Sequence, residues 1–472
     1  MTEEKVASLF ASGRLWSTAA ALACLELAAI AMNAAVFPAF DAVYAPARDL
    51  SVLANALFLL AVGALATFKP QVLHLKSFDV ITFACLVGGA LLLLPALQMG
   101  NAPLLVVASC VVSIGRAGSL LFVGLALLDL SRYQIWISVT VGFLAALVPV
   151  PLLSEAPAFV WALLYLVLPV IAFGLVFKGA QPLFDQASEG EPPAEVAIMR
   201  PATFLPLASQ LFVCLLLFHA AFGFSLRFDE ALRLPFADAL LAVPLAAFLA
   251  YLVVSRKTPN DDVLARVSIL CVIAGFFVVT SSNRVALVSS NVLLSAGNTL
   301  FDMVAWAVLA EIANRNRAGA VAVFSWGRGV CALGSIAGAA LGVWCNSLIA
   351  TSPDLLEFVS GVMLVAVAAY ALLGLRTFSF SETVEHVDTG EGPAAAASPE
   401  DVFEARCAQV IEQYGLSKRE GEVFRMLARG RDRAYVQEQL VISRNTVKAH
   451  VRHIYEKLGV HSHQDLIDLV QD

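Results

Sequence analysis

The side chains best placed for chemistry lie near the C-terminus, where cations recur once per helical turn. Arg444, Lys448 and Arg452 are four residues apart, and Asn445 lies three residues before Lys448. On a helix these positions share one face, because residues three and four apart project in the same direction. Three cations and one amide donor on a single face are suited to contact with a nucleic acid.

The surrounding residues predict the helix that this basic face requires. Ser443 is a favourable N-cap and Gly459 a favourable C-terminal stop. Between them an apolar stripe recurs at intervals of four, three and four, formed by Val447, Val451, Ile454 and Leu458. This period packs one face of a helix inward and leaves the basic face outside.

Shorter helical segments flank this helix. Asp432 or Arg433 begins a segment that continues to Leu440, so the chain contains two short helices joined by a tight turn, the second of them basic. Ser417 and Glu420 have the spacing of a capping box, which predicts an earlier helix that ends at Gly430. Residues 464–470 are apolar enough for a fourth helix. We therefore expect a four-helix unit over residues 415–472.

The pattern resembles the LuxR-type tetrahelical helix-turn-helix domain over the last eighth of the chain. The matching segments are Leu416-Ser417-Lys418-Arg419-Glu420, Leu427-Ala428-Arg429-Gly430, Ile442 through His450, and Ile454-Tyr455-Glu456-Lys457-Leu458-Gly459-Val460. The resemblance implies that the helix after Ser443 enters the major groove of double-stranded DNA. It implies DNA contacts from Arg444, Asn445, Thr446, Val447, Lys448, Arg452 and Lys457. It also implies that the last helix pairs two copies into a homodimer on DNA, through Leu466, Ile467 and Leu469.

The composition places the rest of the chain in a lipid bilayer. Hydrophobic residues make up 59% of the 472 residues and charged residues only 14%. Runs of about 20 apolar residues, long enough to cross about 30 Å of hydrocarbon, occur twelve times. They lie at about 15–37, 50–68, 78–97, 104–128, 134–153, 157–177, 205–225, 236–255, 266–282, 285–310, 319–345 and 354–375.

The twelve runs are arranged six and six around a polar central loop, which resembles the architecture of the major facilitator superfamily. We therefore expect an all-α protein with a twelve-helix transmembrane bundle and a small helix-turn-helix domain. The predicted divisions are a cytoplasmic N-terminus at 1–14, transmembrane helices 1–6 at 15–177, a central loop at 178–204, transmembrane helices 7–12 at 205–375, a flexible linker at 376–400 and the DNA-binding domain at 401–472.

The distribution of basic residues predicts the orientation in the membrane. An even number of spans puts both termini on one side, and the loops on that side carry 13 Lys and Arg residues against 4 in the opposite loops. Cytoplasmic loops are enriched in Lys and Arg. We therefore expect both termini to be cytoplasmic, with the protein in the cell membrane.

Several polar residues lie inside predicted spans, where a charged group is costly. They are Glu26, Asn33, Arg116, His219, Asn298, Asp302 and Arg328. In one interpretation they are structural, with Glu26 pairing with Arg116 and Asp302 with Arg328. In the other they line, together with Trp306, a central cavity that binds a small polar or aromatic ligand.

These features predict a membrane-bound one-component transcriptional regulator that senses a ligand or membrane signal. Two alternatives remain, which are a secondary transporter with a regulatory C-terminal domain and an adaptor whose tail binds protein. No nucleophile–base pair or phosphate loop occurs in the polar segments, and the eight cysteines contain no C-x-x-C pair. We therefore expect no enzymatic activity, no cofactor and no metal site.

Overall fold

Helices make up all the regular structure in the part of the chain that the computed structural model describes. The described residues are 12–73, 75–189, 210–227, 237–279, 284–349, 355–376, 378–385, 406–407, 410–411, 414–440, 443–460, 462–463 and 466. The chain divides into two compact units, residues 1–390 and 391–472.

The first unit is built mainly from long apolar helices, with a few short helices between and after them. In its first half these are α1 (Gly13–Ala31), α2 (Phe37–Tyr44), α3 (Pro46–Phe68), α4 (Leu75–Gln98), α5 (Ala102–Ala126), α6 (Arg132–Leu147), α7 (Val150–Leu153) and α8 (Ala158–Glu189). In its second half they are α9 (Gln210–Arg227), α10 (Ala242–Ser255), α11 (Asp261–Val279), α12 (Arg284–Arg315), α13 (Ala320–Ile349), α14 (Leu355–Ala369) and the short α15 (Phe380–Glu385).

The helices follow the predicted spans, with differences at their ends. Nine helical segments among the described residues have the length and hydropathy to cross a bilayer, and the segments Ala239–Ser255 and Phe358–Leu373 are shorter apolar helices. α8 continues to Glu189, beyond the predicted end of the sixth span at 177. Hydropathy marks the apolar part of a helix, whereas its hydrogen-bonded end can extend into polar surroundings.

Glycines allow corresponding helix pairs in the two halves to approach closely. A Cβ at Gly118 would meet Thr82, so α5 packs tightly on α4. A Cβ at Gly297 would meet Ser268 and Val272, so α12 packs in the same way on α11. Small residues at such contacts allow the backbones of membrane helices to approach. The two glycines occupy the same place in two similar sequences, Ala-Gly-Ser-Leu-Leu-Phe at 117–122 in the fourth span and Ala-Gly-Asn-Thr-Leu-Phe at 296–301 in the tenth.

The halves meet along two pairs of helices. α3 of the first half packs on α13 of the second, and α6 packs on α10. Because the helices alternate in direction, the bundle has two ends. We call the end that carries residues 129–132, 256–261, 315–320 and 376 the exit end, since the chain leaves the bundle there. The opposite end, which carries residues 44–46, 98–102 and 148–158, is the far end.

The second unit is a small helical domain with its own core. Its described helices are α16 (Lys418–Ala428), α17 (Arg433–Leu440) and α18 (Arg444–Leu458). Val423, Phe424 and Val436 are fully buried, and Ile454 and Leu466 pack with them. The fourth helix that the sequence predicts at 464–470 falls mostly outside the described residues.

Candidate ligand cavity and DNA-binding surface

A cavity of about 620 Å³ lies between the two halves of the bundle. Its walls come from helices of both halves, and they contain all seven polar residues that the sequence singles out within the spans. These are Glu26, Asn33, Arg116, His219, Asn298, Asp302 and Arg328. The volume suits a small molecule. Residues from six different helical segments therefore converge on one site.

Asp302 is the centre of a charged cluster in the cavity wall. Its Oδ1 lies 2.5 Å from Nη1 of Arg328 and 3.4 Å from Nε2 of His219. The Arg328 guanidinium also lies over the ring of Trp306, 4.5 Å from the ring centroid. The predicted pairing of Asp302 with Arg328 is therefore confirmed, and the pair belongs to the cavity at the same time. The structural and functional interpretations of these two residues are compatible.

The predicted pairing of Glu26 with Arg116 is wrong. Nη1 of Arg116 lies 2.7 Å from the sulfur of Met32, and its guanidinium lies 5.0 Å from the centroid of the Tyr165 ring. Glu26 precedes Met32 by six residues, which is about 9 Å along a helix axis. Arg116 therefore reaches the first span at a different level, and no carboxylate among the described residues forms an ion pair with it.

A π-helical turn interrupts the first span at the cavity. It covers Met32–Val36 and includes Asn33, whose amide donates to the Ala29 carbonyl at 3.0 Å. π-Helical turns inside helices frequently mark functional sites. On the opposite wall the Asn298 amide lies 3.4 Å from the Ser225 hydroxyl. Two amides and the charged groups give the cavity donors and acceptors on both halves.

The cavity wall changes in character from one end of the bundle to the other. Towards the far end the lining continues to Pro38, Arg48 and Arg227. Towards the exit end it meets Phe218 and Phe301, whose rings stack with centroids 3.9 Å apart. The described lining residues therefore extend to the far end, and stacked aromatic rings form part of the wall towards the exit end.

Polar contacts join the two halves at the exit end. Arg132 of the first half pairs with Asp261 at 2.7 Å and with Glu311 at 2.8 Å, both in the second half. The Tyr133 hydroxyl donates to the Leu252 carbonyl at 3.0 Å, and Arg317 donates to the Leu128 carbonyl at 3.2 Å. In the sequence these arginines indicate only the orientation in the membrane. Their partners could not be predicted, because each partner lies more than 100 positions away in the chain.

The N-terminal and C-terminal caps of α18 are those that the sequence predicts. The Ser443 hydroxyl accepts from the backbone N–H of Thr446 at 3.2 Å, and Gly459 has a left-handed φ of 69°. Ser417 and Glu420 form the predicted capping box at the start of α16. In the same domain Asp432 accepts from the Tyr435 N–H at 2.8 Å, so it caps α17.

Four of the predicted DNA contacts form an exposed surface. Arg444, Asn445, Lys448 and Arg452 are exposed along α18. A groove beside them also includes Arg433 from α17, which is not among the DNA contacts that the sequence predicts. Thr446 is exposed at the start of the helix, where its hydroxyl lies 2.8 Å from that of Ser443. This surface can present cations and an amide to phosphates and base edges.

Two other predicted DNA contacts have different surroundings. Val447 is only 1% exposed and packs in the core, as its place in the apolar stripe requires, so its prediction as a base contact is wrong. Lys457 turns towards α16, with Nζ 2.7 Å from Glu420 and 3.1 Å from the Gly415 carbonyl. Its ammonium group links α16 to the end of α18, and its contact with the DNA backbone stays a prediction.

The Lys457 contact has an electrostatic consequence. Its hydrogen bond to Glu420, together with those from Ser417, lowers the pKa of the Glu420 carboxyl to about 2. Glu420 is 6% exposed. The ion pair is therefore a largely buried link between α16 and the end of α18.

The predicted pairing surface falls largely outside the described residues. Ile467 and Leu469 are among those not described. Leu466 is fully buried and packs in the core of its own domain, so its side chain supports the fold of a single copy.

The C-terminal unit matches a known family. Residues 415–470 match the family described as "Bacterial regulatory proteins, luxR family". The chain is also similar to the Fimbriae Z protein of Salmonella typhimurium strain LT2, with 47% identity over 53 residues. That match covers 11% of this chain and 25% of the relative, so the chain spans about a quarter of that protein.

The membrane unit is similar to solved transporter structures. A bacterial homologue of the iron transporter ferroportin has a TM-score of 0.52 at 14% identity, covering 78% of this chain and 99% of that chain. The Escherichia coli fucose:proton symporter FucP has a TM-score of 0.50 at 12% identity, covering 78% and 100%. XylE, a proton:xylose symporter of the major facilitator superfamily, has 0.50 at 13%, covering 80% and 100%.

At these identities the similarity to the transporters concerns the fold alone. The polypeptide therefore joins a transmembrane bundle with a fold like that of the major facilitator superfamily to a C-terminal LuxR-family helix-turn-helix domain.

Proposed function

We propose that this protein is a membrane-bound one-component transcriptional regulator. In this proposal the bundle binds a small ligand in the cavity, and α18 binds promoter DNA. The observation that carries the proposal is the presence of both sites in one chain. Seven polar residues from both halves of the bundle line one cavity, and α18 of the LuxR-family domain exposes Arg444, Asn445 and Lys448.

The orientation in the membrane is part of the proposal. The loops on the side of both termini carry 13 basic residues against 4 on the opposite side. By the positive-inside rule, the N-terminus, the central loop and the DNA-binding domain are then cytoplasmic. The far end of the cavity faces outward, and the exit end faces the chromosome.

The charges of the cavity favour a small anion as the ligand. Asp302 neutralises Arg328 through their ion pair. Arg116 lies against the sulfur of Met32 and the ring of Tyr165, and no carboxylate among the described residues forms an ion pair with it. A guanidinium in this setting is suited to a carboxylate or phosphate, to which it donates two parallel hydrogen bonds. We therefore expect Arg116 to hold the anionic group of the ligand.

The DNA-bound form is proposed to be a homodimer. A single small domain makes few phosphate contacts, so useful affinity requires two copies on a two-fold site. Ile467 and Leu469 remain the proposed pairing residues. Leu466 packs in the core of its own domain and is therefore not part of this pairing surface.

A secondary transporter with a regulatory C-terminal domain is the second candidate. The observation that favours it is the cavity of about 620 Å³ between two halves of a transporter-like fold. Proteoliposomes that contain the first unit, residues 1–390, distinguish the two candidates. Accumulation of a small organic anion against empty liposomes supports transport, and saturable binding without accumulation supports a receptor.

A fusion experiment tests the regulator. Green fluorescent protein attached after Asp472 is expected to fluoresce, and alkaline phosphatase at the same position is expected to be inactive, because the tail is cytoplasmic. The purified full chain in nanodiscs is expected to retain DNA from upstream of its own coding region. Active phosphatase at the C-terminus, or no DNA retention, contradicts the proposal.

A further inference from the structure

The chain leaves the bundle through a short helix that is anchored to the bundle wall. This exit helix is α15 (Phe380–Glu385), which follows α14 and precedes the DNA-binding unit in sequence. Phe380 is 3% exposed and Val384 is 5% exposed, and both pack in the main core of the bundle. A segment predicted to be part of a flexible linker is therefore docked at its start.

One carboxylate holds the first turn of the exit helix. Asp262 Oδ1 accepts from the backbone N–H of Phe380 at 2.6 Å, and its Oδ2 accepts from the Ser379 hydroxyl at 2.9 Å. Ser379 in turn caps the helix, since its hydroxyl accepts from the Glu382 N–H at 3.1 Å. A carboxylate at a helix N-terminus also interacts favourably with the helix dipole.

The hydrogen bonds of Asp262 to the exit helix lie next to the contacts that join the two halves of the bundle. Asp261, the preceding residue, forms the 2.7 Å ion pair with Arg132 of the first half. Asp261 is completely buried, and Asp262 is the next residue of the same helix, α11. A movement of the halves that separates Arg132 from Asp261 therefore acts on the backbone that carries Asp262.

A row of aromatic rings leads from the cavity to the exit helix. Phe218 and Phe301 line the cavity and stack on each other at 3.9 Å. Phe301 also meets Phe380 edge-on, with ring centroids 6.3 Å apart, and Phe380 contacts Phe378 at 4.9 Å. Phe301 is adjacent in sequence to Asp302, the centre of the charged cluster. A single residue of the cavity wall thus touches the exit helix.

We infer that the surface formed by Asp262 and Phe301 is a docking site for the exit helix, and that ligand-dependent release of this helix controls the reach of the DNA-binding domain. The inference rests on the proposed function and adds its regulation. While the exit helix is docked, only the residues after Glu385 connect the bundle to the second unit. After its release, the residues of the exit helix also become part of this connecting segment, which is then longer. A longer connecting segment allows two tails to pair on one operator.

Exposure of the exit helix can be measured directly. Val384→Cys in the full chain places a thiol at a position that is 5% exposed when the helix is docked. The rate at which a polyethylene glycol maleimide labels this thiol in nanodiscs reports release of the exit helix. The labelling rate of the parent chain, which has eight cysteines, is subtracted. We expect Asp262→Ala to raise the initial labelling rate about tenfold, because the docked state loses two hydrogen bonds to a charged group.

Two variants separate docking from a general loss of structure. Asp262→Asn is expected to remain within about threefold of the parent rate, because the amide still accepts from Phe380 and can donate to Ser379. Asp79→Ala is the matched control, since Asp79 lies in the second turn of α4 at the exit end and, among the described residues, accepts from the N–H of its own neighbour Val80. If Asp262→Ala does not insert, Ser379→Ala removes one anchor bond and is expected to raise the rate in the same direction. Equal rates in the anchor variants and the Asp79→Ala control overturn the docking site.

DNA retention by the same nanodiscs distinguishes this inference from the proposed function. Asp262→Ala is expected to bind upstream DNA at least threefold more tightly than Asp79→Ala. Equal affinity in chains that bind DNA overturns the control of reach, while the proposed function stands. No retention by any variant, with the labelling difference intact, overturns the proposed function and the control of reach together, while the docking site stands.

Discussion

The carboxylate of Asp302 lies 2.5 Å from the guanidinium of Arg328, across a wall of the cavity that both halves of the bundle enclose. His219 from α9 approaches the same oxygen at 3.4 Å. The ion pair joins neighbouring helices of the second half and holds a charged surface towards the space where a ligand would bind. Its removal is therefore expected to affect both the stability of the bundle and the binding of ligand.

Asp302→Asn is expected to destabilise the bundle by about 3 kcal/mol, because it leaves Arg328 charged without its carboxylate. The double variant Asp302→Asn with Arg328→Gln is expected to be more stable than Asp302→Asn alone, since no unpaired charge remains. Thermal unfolding of the full chain in detergent, followed by size-exclusion chromatography, measures both effects. Additive losses in the double variant would show that the two residues are not coupled.

Arg116→Ala is expected to weaken binding of a small carboxylate by about 10- to 100-fold, which corresponds to the loss of charge-assisted hydrogen bonds. Ligand-induced thermal stabilisation of the full chain across a panel of organic acids measures this change. The protein should still insert, because the substitution breaks no ion pair among the described residues. Arg14→Ala is the control, since Arg14 pairs with Asp129 at the exposed exit end. An unchanged response in Arg116→Ala removes this residue from the site.

Lys448→Ala is expected to weaken binding of operator DNA by about 1–3 kcal/mol, because Lys448 lies on the exposed face of α18. If the contact is to a phosphate, the slope of log affinity against log salt falls by about one. Gel shifts at several salt concentrations measure both quantities. Lys418→Ala provides a matched control, since Lys418 is exposed at the start of α16 and away from that face. Equal losses in the two variants would point to a general effect of charge.

The ion pair between Glu420 and Lys457 predicts a pH dependence for the stability of the C-terminal domain. The hydrogen bond from Lys457 lowers the pKa of Glu420 from 4.5 to about 2. A lowered pKa in the folded state stabilises the domain above the unfolded pKa, and this contribution is lost as pH falls from about 4.5 towards 2. Chemical denaturation of residues 401–472 at several pH values measures it.

Glu420→Gln is expected to lower the unfolding free energy at pH 7 by about 2 kcal/mol and to flatten its acid dependence. Glu422→Gln is the control, because Glu422 pairs with Arg419 near the surface, where such pairs contribute less than about 1 kcal/mol. A steep acid dependence that persists in Glu420→Gln would assign the effect to other carboxylates.

The helices and the cavity residues could be predicted because their signals are local. Long apolar runs define the spans, and a charge within such a run is visible in the sequence without knowledge of its neighbours. Glu26, Arg116 and Asp302 were identified in this way, and the structure brings them to one cavity. The caps of α18 at Ser443 and Gly459 were likewise predictable from residue type and spacing.

Partners that are distant in sequence could not be predicted. Arg116 contacts Met32, the first residue of a π-helical turn, and the two residues are 84 positions apart in the sequence. The ion pairs of Arg132 with Asp261 and Glu311 depend on how the halves pack. The family pattern predicts a DNA contact for Lys457 and gives no sign of its ion pair with Glu420, which lies 37 positions earlier in the sequence.

The measurement that tests the central claim most directly is chromatin immunoprecipitation of the full-length, membrane-inserted protein. The account predicts that specific promoter fragments are enriched with the parent chain and lost with Lys448→Ala. It also predicts that a small organic acid changes this enrichment in the parent chain and leaves it unchanged in Arg116→Ala. Equal enrichment with Lys448→Ala and the parent chain, or an equal acid response in Arg116→Ala, would contradict it.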